Sequence, residues 1–343
     1  SAGRDPHGGG AVVRKADVFG AWWGILQGRR PFLSIEITRE CPLRCPGCYA
    51  YEPGRLGSQV RASGRNDIRG QQLVDGVLSA IRRYRPVHLS IVGGEPLVRH
   101  RELDLLLPKL AEAGLEVQLV TSAVRRIPIA WGALPNLHLV VSVDGLPPEH
   151  DRRRFPATYD RILDSIAGHC VIVHCTVTRQ LLARADYLGE FASFWSDRPE
   201  VRKIWFSLFT PQDGEESDER LSPEDRSEAI RRLEPLRLRF PKIHLPQMVL
   251  DVYSRPPRSP EECLFAQATT CLANDLTTMI SPCQLGGRSV CAECGCIAAA
   301  GLVSIGRLRL LPGLPASRVF SLSMRVGESV SALRNSKPLR PDA

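Results

Sequence analysis

Short apolar runs with strand-like alternation are separated by helical segments from residue 31 to about residue 210. The runs are FLSIEIT, VHLSIV, LEVQLVTS, LHLVVSVDG, CVIVHCTVT and KIWFSLFTP. Strands that alternate with helices usually pair in parallel, and the helices then cover the sheet. The pattern therefore predicts an α/β fold. Six such units are too few for a complete eight-stranded barrel, which leaves a partial parallel barrel or an open doubly wound sheet.

Polar or glycine-rich residues follow the first four predicted strands. They are the loop Cys41–Cys48, then Gly93-Gly94-Glu95-Pro96, Thr121-Ser122 and Ser142-Val143-Asp144-Gly145. Functional sites of parallel sheets form where the strands end, at the carboxyl edge. Because all four endings meet at that edge, the sequence predicts one site built from all of them.

Three cysteines lie close together in the first of these loops. The stretch ECPLRCPGCYAYE places Cys41, Cys45 and Cys48 within eight residues. A structural zinc site is closed by four ligands, a disulfide needs two thiols, and an ordinary ferredoxin loop supplies a fourth cysteine. Three thiols fit none of these sites completely, and an iron–sulfur cluster held by only three thiolates would leave one iron open for another ligand.

Three features follow one another: the CxxxCxxC run, the aromatic Tyr49 directly after it, and the GGEP sequence after the next strand. Together they resemble the radical S-adenosylmethionine (SAM) superfamily, over residues 32–210. The resemblance implies a partial (β/α)6 parallel barrel. It also implies that Cys41, Cys45 and Cys48 hold a [4Fe–4S] cluster whose fourth iron binds the amino and carboxylate groups of SAM. One electron then cleaves SAM to a 5′-deoxyadenosyl radical, which abstracts hydrogen from an unactivated C–H bond.

The same resemblance suggests which residues bind SAM. Tyr49 is expected near the adenine, and Glu95 is expected to meet the amino group of SAM. The other positions of the implied cofactor site are Gly93, Gly94, Pro96, Thr121, Ser122, Ser142, Asp144, Thr176 and Val177. Ser142 and Asp144 fall where related enzymes contact the ribose, although Ser142 has the alternative of an ordinary interior hydroxyl. The stretch VSVDGLPPEHDRRR also resembles one common in radical SAM enzymes that modify peptides.

A second group of cysteines lies near the C-terminus: Cys263, Cys271, Cys283, Cys291, Cys294 and Cys296. Cys291-x-x-Cys294 has metal-ligand spacing. The segment resembles the SPASM and twitch auxiliary domains, but the full SPASM spacing is absent. One auxiliary [4Fe–4S] cluster is favoured over two clusters or a zinc ion. The spacing leaves open which four thiols ligate it, while Cys170 and Cys175 are interpreted as buried packing thiols.

Four parts of the chain are predicted: a tail and amphipathic helix (1–30), the radical SAM core (31–240), a Pro-rich linker (241–258) and a small Cys-rich auxiliary-cluster domain with a C-terminal tail (259–343). The first helix is predicted over 13–27, with Phe19, Trp22, Trp23 and Leu26 along one face. This apolar stripe has two interpretations, packing on the core or contact with a membrane or a lipid substrate.

The bulk composition excludes several classes of protein. It is 43% hydrophobic and 24% charged, as in ordinary globular proteins, and no run is long enough to cross a bilayer. Arginines carry most of the +8 charge but occur throughout, so we expect no nucleic-acid partner. Clustered cysteines without a secretory signal indicate a reducing, cytoplasmic location, with membrane association through the first helix as an additional hypothesis.

The function implied is radical oxidation, or C–C or C–X bond formation, on a lipid, isoprenoid or peptide, with flavodoxin or ferredoxin as the electron donor. Two alternatives remain open: a sugar or aminoglycoside dehydrogenase of the twitch type, and a non-catalytic Cys-rich metal-binding protein. The intact GGEP sequence argues against the second alternative. The sequence leaves the substrate, the number of auxiliary clusters and the oligomeric state open.

Overall fold

A computed structural model describes residues 22–51, 67–311 and 314–335 of the chain. Its centre is a parallel sheet of seven strands: β1 (Phe32–Glu36), β2 (His88–Val92), β3 (Glu116–Thr121), β4 (Leu137–Ser142), β5 (Val171–Val177), β6 (Val201–Leu208) and β7 (Thr269–Leu272). The spatial order is β6-β5-β4-β3-β2-β1-β7. The first six strands follow one another in a single direction, as in a barrel that has not closed, which confirms the predicted partial barrel.

Helices connect the strands and cover one face of the sheet. They are α1 (helical over the described residues 22–26), α2 (Gly70–Tyr84), α3 (His100–Glu112), α4 (Glu149–Arg153), α5 (Tyr159–Ile166), α6 (Arg179–Leu182), α7 (Tyr187–Ser196), α8 (Pro223–Arg239), α9 (Gln247–Ser254), α10 (Leu264–Ala268), α11 (Ile297–Arg307) and α12 (Ala316–Asn335). A short antiparallel pair, β8 (Arg309–Leu311) and β9 (Leu314–Pro315), precedes α12.

The seventh strand is a feature that the sequence analysis did not predict. β7 lies parallel to β1, and Cys271 is in register with Ser34. Its four residues, TTCL, are too few to show strand periodicity. The Cys-rich residues 259–343, predicted as a separate domain, therefore contribute a strand to the core sheet.

Alternating side chains of the strands enter the core between sheet and helices. In β1, Leu33 and Ile35 are buried in this core, and Ile37 continues the row. Because successive side chains of a strand point to opposite faces, Ser34 and Glu36 lie on the face away from the helices. This second face is called the inner face below.

The first helix packs against the C-terminal part of the chain. Ile25 is buried with Leu264 and Met324, and the indole Nε1 of Trp22 donates to Ser323 Oγ at 2.8 Å. Trp23 is 55% exposed. Of the stripe residues, Trp22 therefore packs on the protein, beside the buried Ile25, which was not part of the predicted stripe. Phe19 and the rest of the predicted helix before residue 22 lie outside the described residues. In the described part of the chain, no helix has the length and apolar character needed to cross a bilayer.

Candidate functional site

The loop Thr38–Cys48 after β1 packs tightly against the glycine pair after β2. The backbone N–H of Gly94 donates to Thr38 O at 2.7 Å, and that of Glu95 donates to Glu40 O at 2.8 Å. A Cβ on Gly93 or Gly94 would overlap the carbonyl oxygens of Thr38 or Glu40. The glycines are thus required for the second loop to approach the cysteine loop, and they bring the first two predicted endings together.

The thiols of Cys41, Cys45 and Cys48 are half-buried on this loop. Burial raises the pKa of Cys41 to about 11, and the neighbouring thiols Cys45 and Cys48 also act to raise it. The N–H of Leu43 donates to Cys41 Sγ at 3.4 Å and opposes this pKa shift. Burial likewise raises the pKa of Cys48, against the N–H of Ala50. Grouped sulfurs that accept backbone N–H bonds fit a bound iron–sulfur cluster, whose sulfurs accept such bonds.

The Glu95 carboxylate lies beneath this loop and is satisfied by the protein itself. It is 1% exposed. Oε1 accepts from Leu97 N at 2.9 Å and from the Thr121 hydroxyl, while Oε2 accepts from Ser122 N at 2.7 Å and from the Ser122 hydroxyl. Four donors occupy the lone pairs that a carboxylate offers. Glu95, Thr121 and Ser122 therefore form one buried unit that joins the ends of β2 and β3, and Pro96 begins the short 3-10 turn after it.

The Asp144 carboxylate binds two partly buried arginines that the sequence analysis did not single out. Arg153 Nη1 and Arg154 Nε both donate to its Oδ2, and Thr176 N donates to its Oδ1 at 2.9 Å. Burial would raise the pKa of Asp144, but Arg154 and Arg153 outweigh burial and hold that pKa below its ordinary value. His150 accepts from Asp144 N and fixes the same turn. The HDRRR residues of the stretch VSVDGLPPEHDRRR are the sequence pattern that could have pointed to these arginines.

Arg153 also reaches the cysteine loop. Its Nη2 donates to Pro46 O at 3.3 Å and to Glu219 Oε2 at 2.6 Å. The end of β4, the cysteine loop and the acidic segment at Glu219 are thereby held together by one guanidinium.

A second missed group supports the start of the cysteine loop. The Asp67 side chain is fully buried and pairs with Arg99 at 3.0 Å. Asp67 accepts from the Thr38 hydroxyl and, at 2.6 Å, from Asn274 Nδ2. Arg99 pairs with Glu40 as well. No sequence pattern joins these residues, because Asn274 comes from the Cys-rich region 207 positions away.

The inner face of the sheet is polar beside this edge. Ser142, His174 and Trp205 lie in register across β4, β5 and β6. The imidazole of His174 is 2.8 Å from Ser207 Oγ, and burial lowers the pKa of His174 to about 4. At the other side of the face, Ser34 donates to Gln284 Oε1 at 2.6 Å, which brings the segment next to Cys283 over β1.

Five of the six C-terminal cysteines form a second thiol group. Its members are Cys263, Cys283, Cys291, Cys294 and Cys296. Each of them either raises the pKa of another member or has its own pKa raised by one. Burial raises the pKa of Cys283 to about 12 and also raises the pKa of Cys294. Backbone N–H groups two residues later oppose these shifts, as they do at Cys41 and Cys48. Cys271 lies instead within β7 and is buried.

The remaining predicted positions have simple placements. Tyr49 begins a short 3-10 turn directly after Cys48. Val177 ends β5 with its side chain in the core, and its carbonyl accepts from Phe209 N. Cys175 is buried as predicted, but Cys170 is exposed because β5 begins only at the next residue.

Within the described ranges, no three His, Cys, Asp or Glu side chains are close enough to enclose a single metal ion. A zinc ion needs its thiolates at about 2.3 Å, so the sulfurs must nearly touch. A four-iron cluster does not require such contact, because its thiolates bind different irons.

Comparison with known proteins finds one family model that matches part of the chain. The model of the Radical SAM superfamily matches residues 35–167. The 7-carboxy-7-deazaguanine synthase of Hyperthermus butylicus is 32% identical over 157 residues, which are 43% of this chain and 58% of that enzyme. PqqA peptide cyclase of Bradyrhizobium diazoefficiens is 35% identical over 91 residues, 26% of this chain and 21% of that enzyme. The chain thus spans less than two thirds of either relative.

Solved structures show the same architecture. SuiB of Streptococcus suis bound to S-adenosylmethionine has a TM-score of 0.55 and 14% identity, over 72% of this chain and 59% of SuiB. SuiB bound to the precursor peptide SuiA has a TM-score of 0.57 and 13% identity, over 91% of this chain and 74% of SuiB. At this level of sequence identity, the similarity to SuiB shows a shared fold and no more.

Proposed function

We propose that the chain, whose residues 35–167 match the model of the Radical SAM superfamily, is an enzyme that modifies an unactivated C–H bond of a peptide. Cys41, Cys45 and Cys48 would hold a [4Fe–4S] cluster, and the edge formed by the ends of β1 to β5 would bind SAM. When bound, the cluster and SAM supply a one-electron cleavage that generates a hydrogen-abstracting radical, and a second cluster supplies an acceptor for the electron left on the substrate.

The protein's own groups have distinct tasks in this proposal. The glycine pair and the Glu95 unit hold the second loop against the cysteine loop, and Arg153 holds the cysteine loop from the other side. Preorganised groups of this kind lower the cost of orienting a cofactor and substrate. Because the Glu95 and Asp144 oxygens are occupied by protein donors, their contribution to SAM binding would be to position neighbouring backbone and arginines.

The polar inner face is the observation that favours a peptide over a lipid. Ser34, Ser142 and His174 lie on this face, and such groups suit amides and polar side chains rather than hydrocarbon. The lipid hypothesis relied on the Phe19, Trp22, Trp23 and Leu26 stripe, yet Trp22 is bonded to Ser323. PqqA peptide cyclase and the SuiB complex with its precursor peptide support the same substrate class.

The second thiol group would hold one auxiliary [4Fe–4S] cluster. The six C-terminal thiols exceed the four that such a cluster needs. We propose to leave out Cys271, because it is part of a strand, which keeps five candidates for four ligand positions. The segment beside Cys283 reaches the inner face through Gln284. This position suits net oxidation of a substrate bound on that face. An external electron donor such as flavodoxin or ferredoxin stays a prediction.

The test is anaerobic co-expression of the protein with each short open reading frame encoded beside its gene. With wild type, and not with Cys45→Ala, we expect one encoded peptide to become about two mass units lighter. This is the loss of two hydrogens that an oxidation or an oxidative crosslink produces. Purified wild type, dithionite and SAM should also release 5′-deoxyadenosine. Unchanged peptides together with a modified lipid or sugar extract would refute the peptide assignment, whereas absence of 5′-deoxyadenosine would refute the radical SAM activity itself.

A further inference from the structure

Arg226 is a buried arginine that contacts the second thiol group and has no carboxylate partner among the described residues. It lies in the first turns of α8 and is 8% exposed. Its guanidinium donates to three backbone carbonyls, those of Glu293 at 2.8 Å, Cys294 at 3.2 Å and Tyr253 at 3.2 Å. The Glu293 carboxylate binds Arg220 instead, at 3.1 and 2.6 Å.

A buried guanidinium without an anionic partner is costly, since removal of a charge from water is only partly offset by neutral carbonyls. The thiols next to Arg226 are neutral while they carry protons, but they become negative when they bind metal. A four-iron cluster with four thiolates keeps a net negative charge. The cation is therefore placed where an anionic centre would form.

We propose that Arg226 is the counter-charge of an anionic iron–sulfur centre held by the second thiol group, and that it raises the reduction potential of this centre. The inference rests on the auxiliary cluster of the proposed function. Reduction by one electron adds one negative charge to the centre, and a fixed cation beside it stabilises the reduced form more than the oxidised form. Arg226 is thus a positioning residue: it touches the loop carbonyls, not the substrate.

The experiment is a potentiometric titration of the anaerobically reconstituted full chain, with dithionite as reductant and electron paramagnetic resonance as the readout. The variants are Arg226→Gln, which removes the charge, and Arg226→Lys, which keeps it. Arg231→Gln is the matched control, because Arg231 lies on the same helix and is exposed, with its partner Glu228 one turn away. Iron content and thermal melting are measured for every variant.

Wild type should bind about eight irons, four for each cluster, and should show two reduced signals. Arg226→Gln should move the potential of the second signal to more negative values and leave the SAM-binding cluster unchanged. Arg226→Lys should lie near wild type, and Arg231→Gln should equal it. Should Arg226→Gln fail to keep the second centre, retention of about eight irons by Arg226→Lys would support the charge assignment.

Two results would overturn this inference and leave the proposed function standing. One is an Arg226→Gln protein that loads about eight irons and keeps the wild-type potential. The other is equal loss of the second centre from the Gln and Lys variants, which indicates a role of shape and not of charge. A wild type that binds only about four irons would instead overturn the auxiliary cluster itself, and with it this inference.

Discussion

Arg153 and Glu219 lie 66 positions apart and form a two-point ion pair, in which Nε is 2.7 Å from Oε1 and Nη2 is 2.6 Å from Oε2. The next residue, Arg220, forms a similar two-point pair with Glu293 between Cys291 and Cys294. Two adjacent residues thus contact the supports of the two thiol groups. We therefore expect a substitution that loosens the support of one thiol group to weaken the support of the other as well.

Glu219→Gln is the first prediction. The side chains of Arg153 and Glu219 are 14% and 8% exposed, and removal of one charge from a buried pair costs about 3 to 5 kcal/mol of unfolding free energy. Arg153 keeps Asp144, so we expect the lower end, about 3 kcal/mol, together with weaker SAM binding because Pro46 loses its support. Urea unfolding and SAM titration measure the two effects.

The matched control is Glu190→Gln, which breaks an exposed pair with Arg184. Exposed pairs contribute about 0 to 1 kcal/mol, so this variant should unfold like wild type. Equal stability of both variants would show that the Arg153–Glu219 pair does not hold the site together.

The second prediction concerns iron. Replacement of Cys41, Cys45 and Cys48 together by Ala should reduce the iron bound after reconstitution from about eight to about four atoms per chain. Replacement of the strand residue Cys271 alone should leave about eight, because we assign it no iron. Colorimetric iron and sulfide assays give both counts. Full iron in the triple variant would refute the assignment of this loop.

Much of this fold was predictable, for a physical reason. The six predicted strands have clear periodicity, and Cys41, Cys45 and Cys48 are close in the sequence, so local pattern was sufficient. β7 has four residues and no pattern. Asp67 with Asn274, and Arg153 with Glu219, are partners only after the chain has folded. Sequence spacing cannot reveal such pairs, and the predicted roles of Glu95 and Asp144 did not anticipate their buried partners.

The third prediction distinguishes two roles of Glu95. If its carboxylate mainly joins β2 to β3, Glu95→Ala leaves the donors of Thr121 and Ser122 buried without partners. Each unsatisfied buried donor costs about 1 to 3 kcal/mol, so the melting temperature should fall sharply and SAM affinity should fall with it. Ser122→Ala, which removes the hydroxyl donor and keeps the N–H, should show a smaller change in both. Loss of SAM affinity at an unchanged melting temperature would favour direct contact with SAM.

The fourth prediction is a pH dependence that arises from His150. This residue is fully buried, and burial, aided by Arg154, lowers its pKa to about 4. Unfolded histidine titrates near 6.5, so below that pH the unfolded chain binds more protons and folding loses free energy as the pH falls. Between pH 7 and pH 5 the loss from this group is about 2 kcal/mol.

Urea unfolding of wild type and His150→Gln at pH 7 and pH 5 measures this contribution. The variant should be less stable at pH 7, because it loses the bonds to Asp144 N and Ala157 O, but its stability should change less between the two pH values. A variant with the full wild-type pH dependence would show that another group, such as the half-buried His174, causes it.

The last prediction concerns the first helix. Ile25 is 4% exposed and packs with Leu264 and Met324, so Ile25→Ala should cost about 2 to 5 kcal/mol of unfolding free energy, as other truncations in a core do. Trp23 is 55% exposed, and Trp23→Ala should leave the melting temperature nearly unchanged. In the part of this helix that the structure describes, one exposed indole supplies little apolar area for a bilayer. Wild type should therefore not co-sediment with liposomes of phosphatidylcholine and phosphatidylserine at 150 mM salt. Wild-type binding that is lost in Trp23→Ala and weakened by added salt would reverse this conclusion, because it is the behaviour of an interfacial helix with basic flanks.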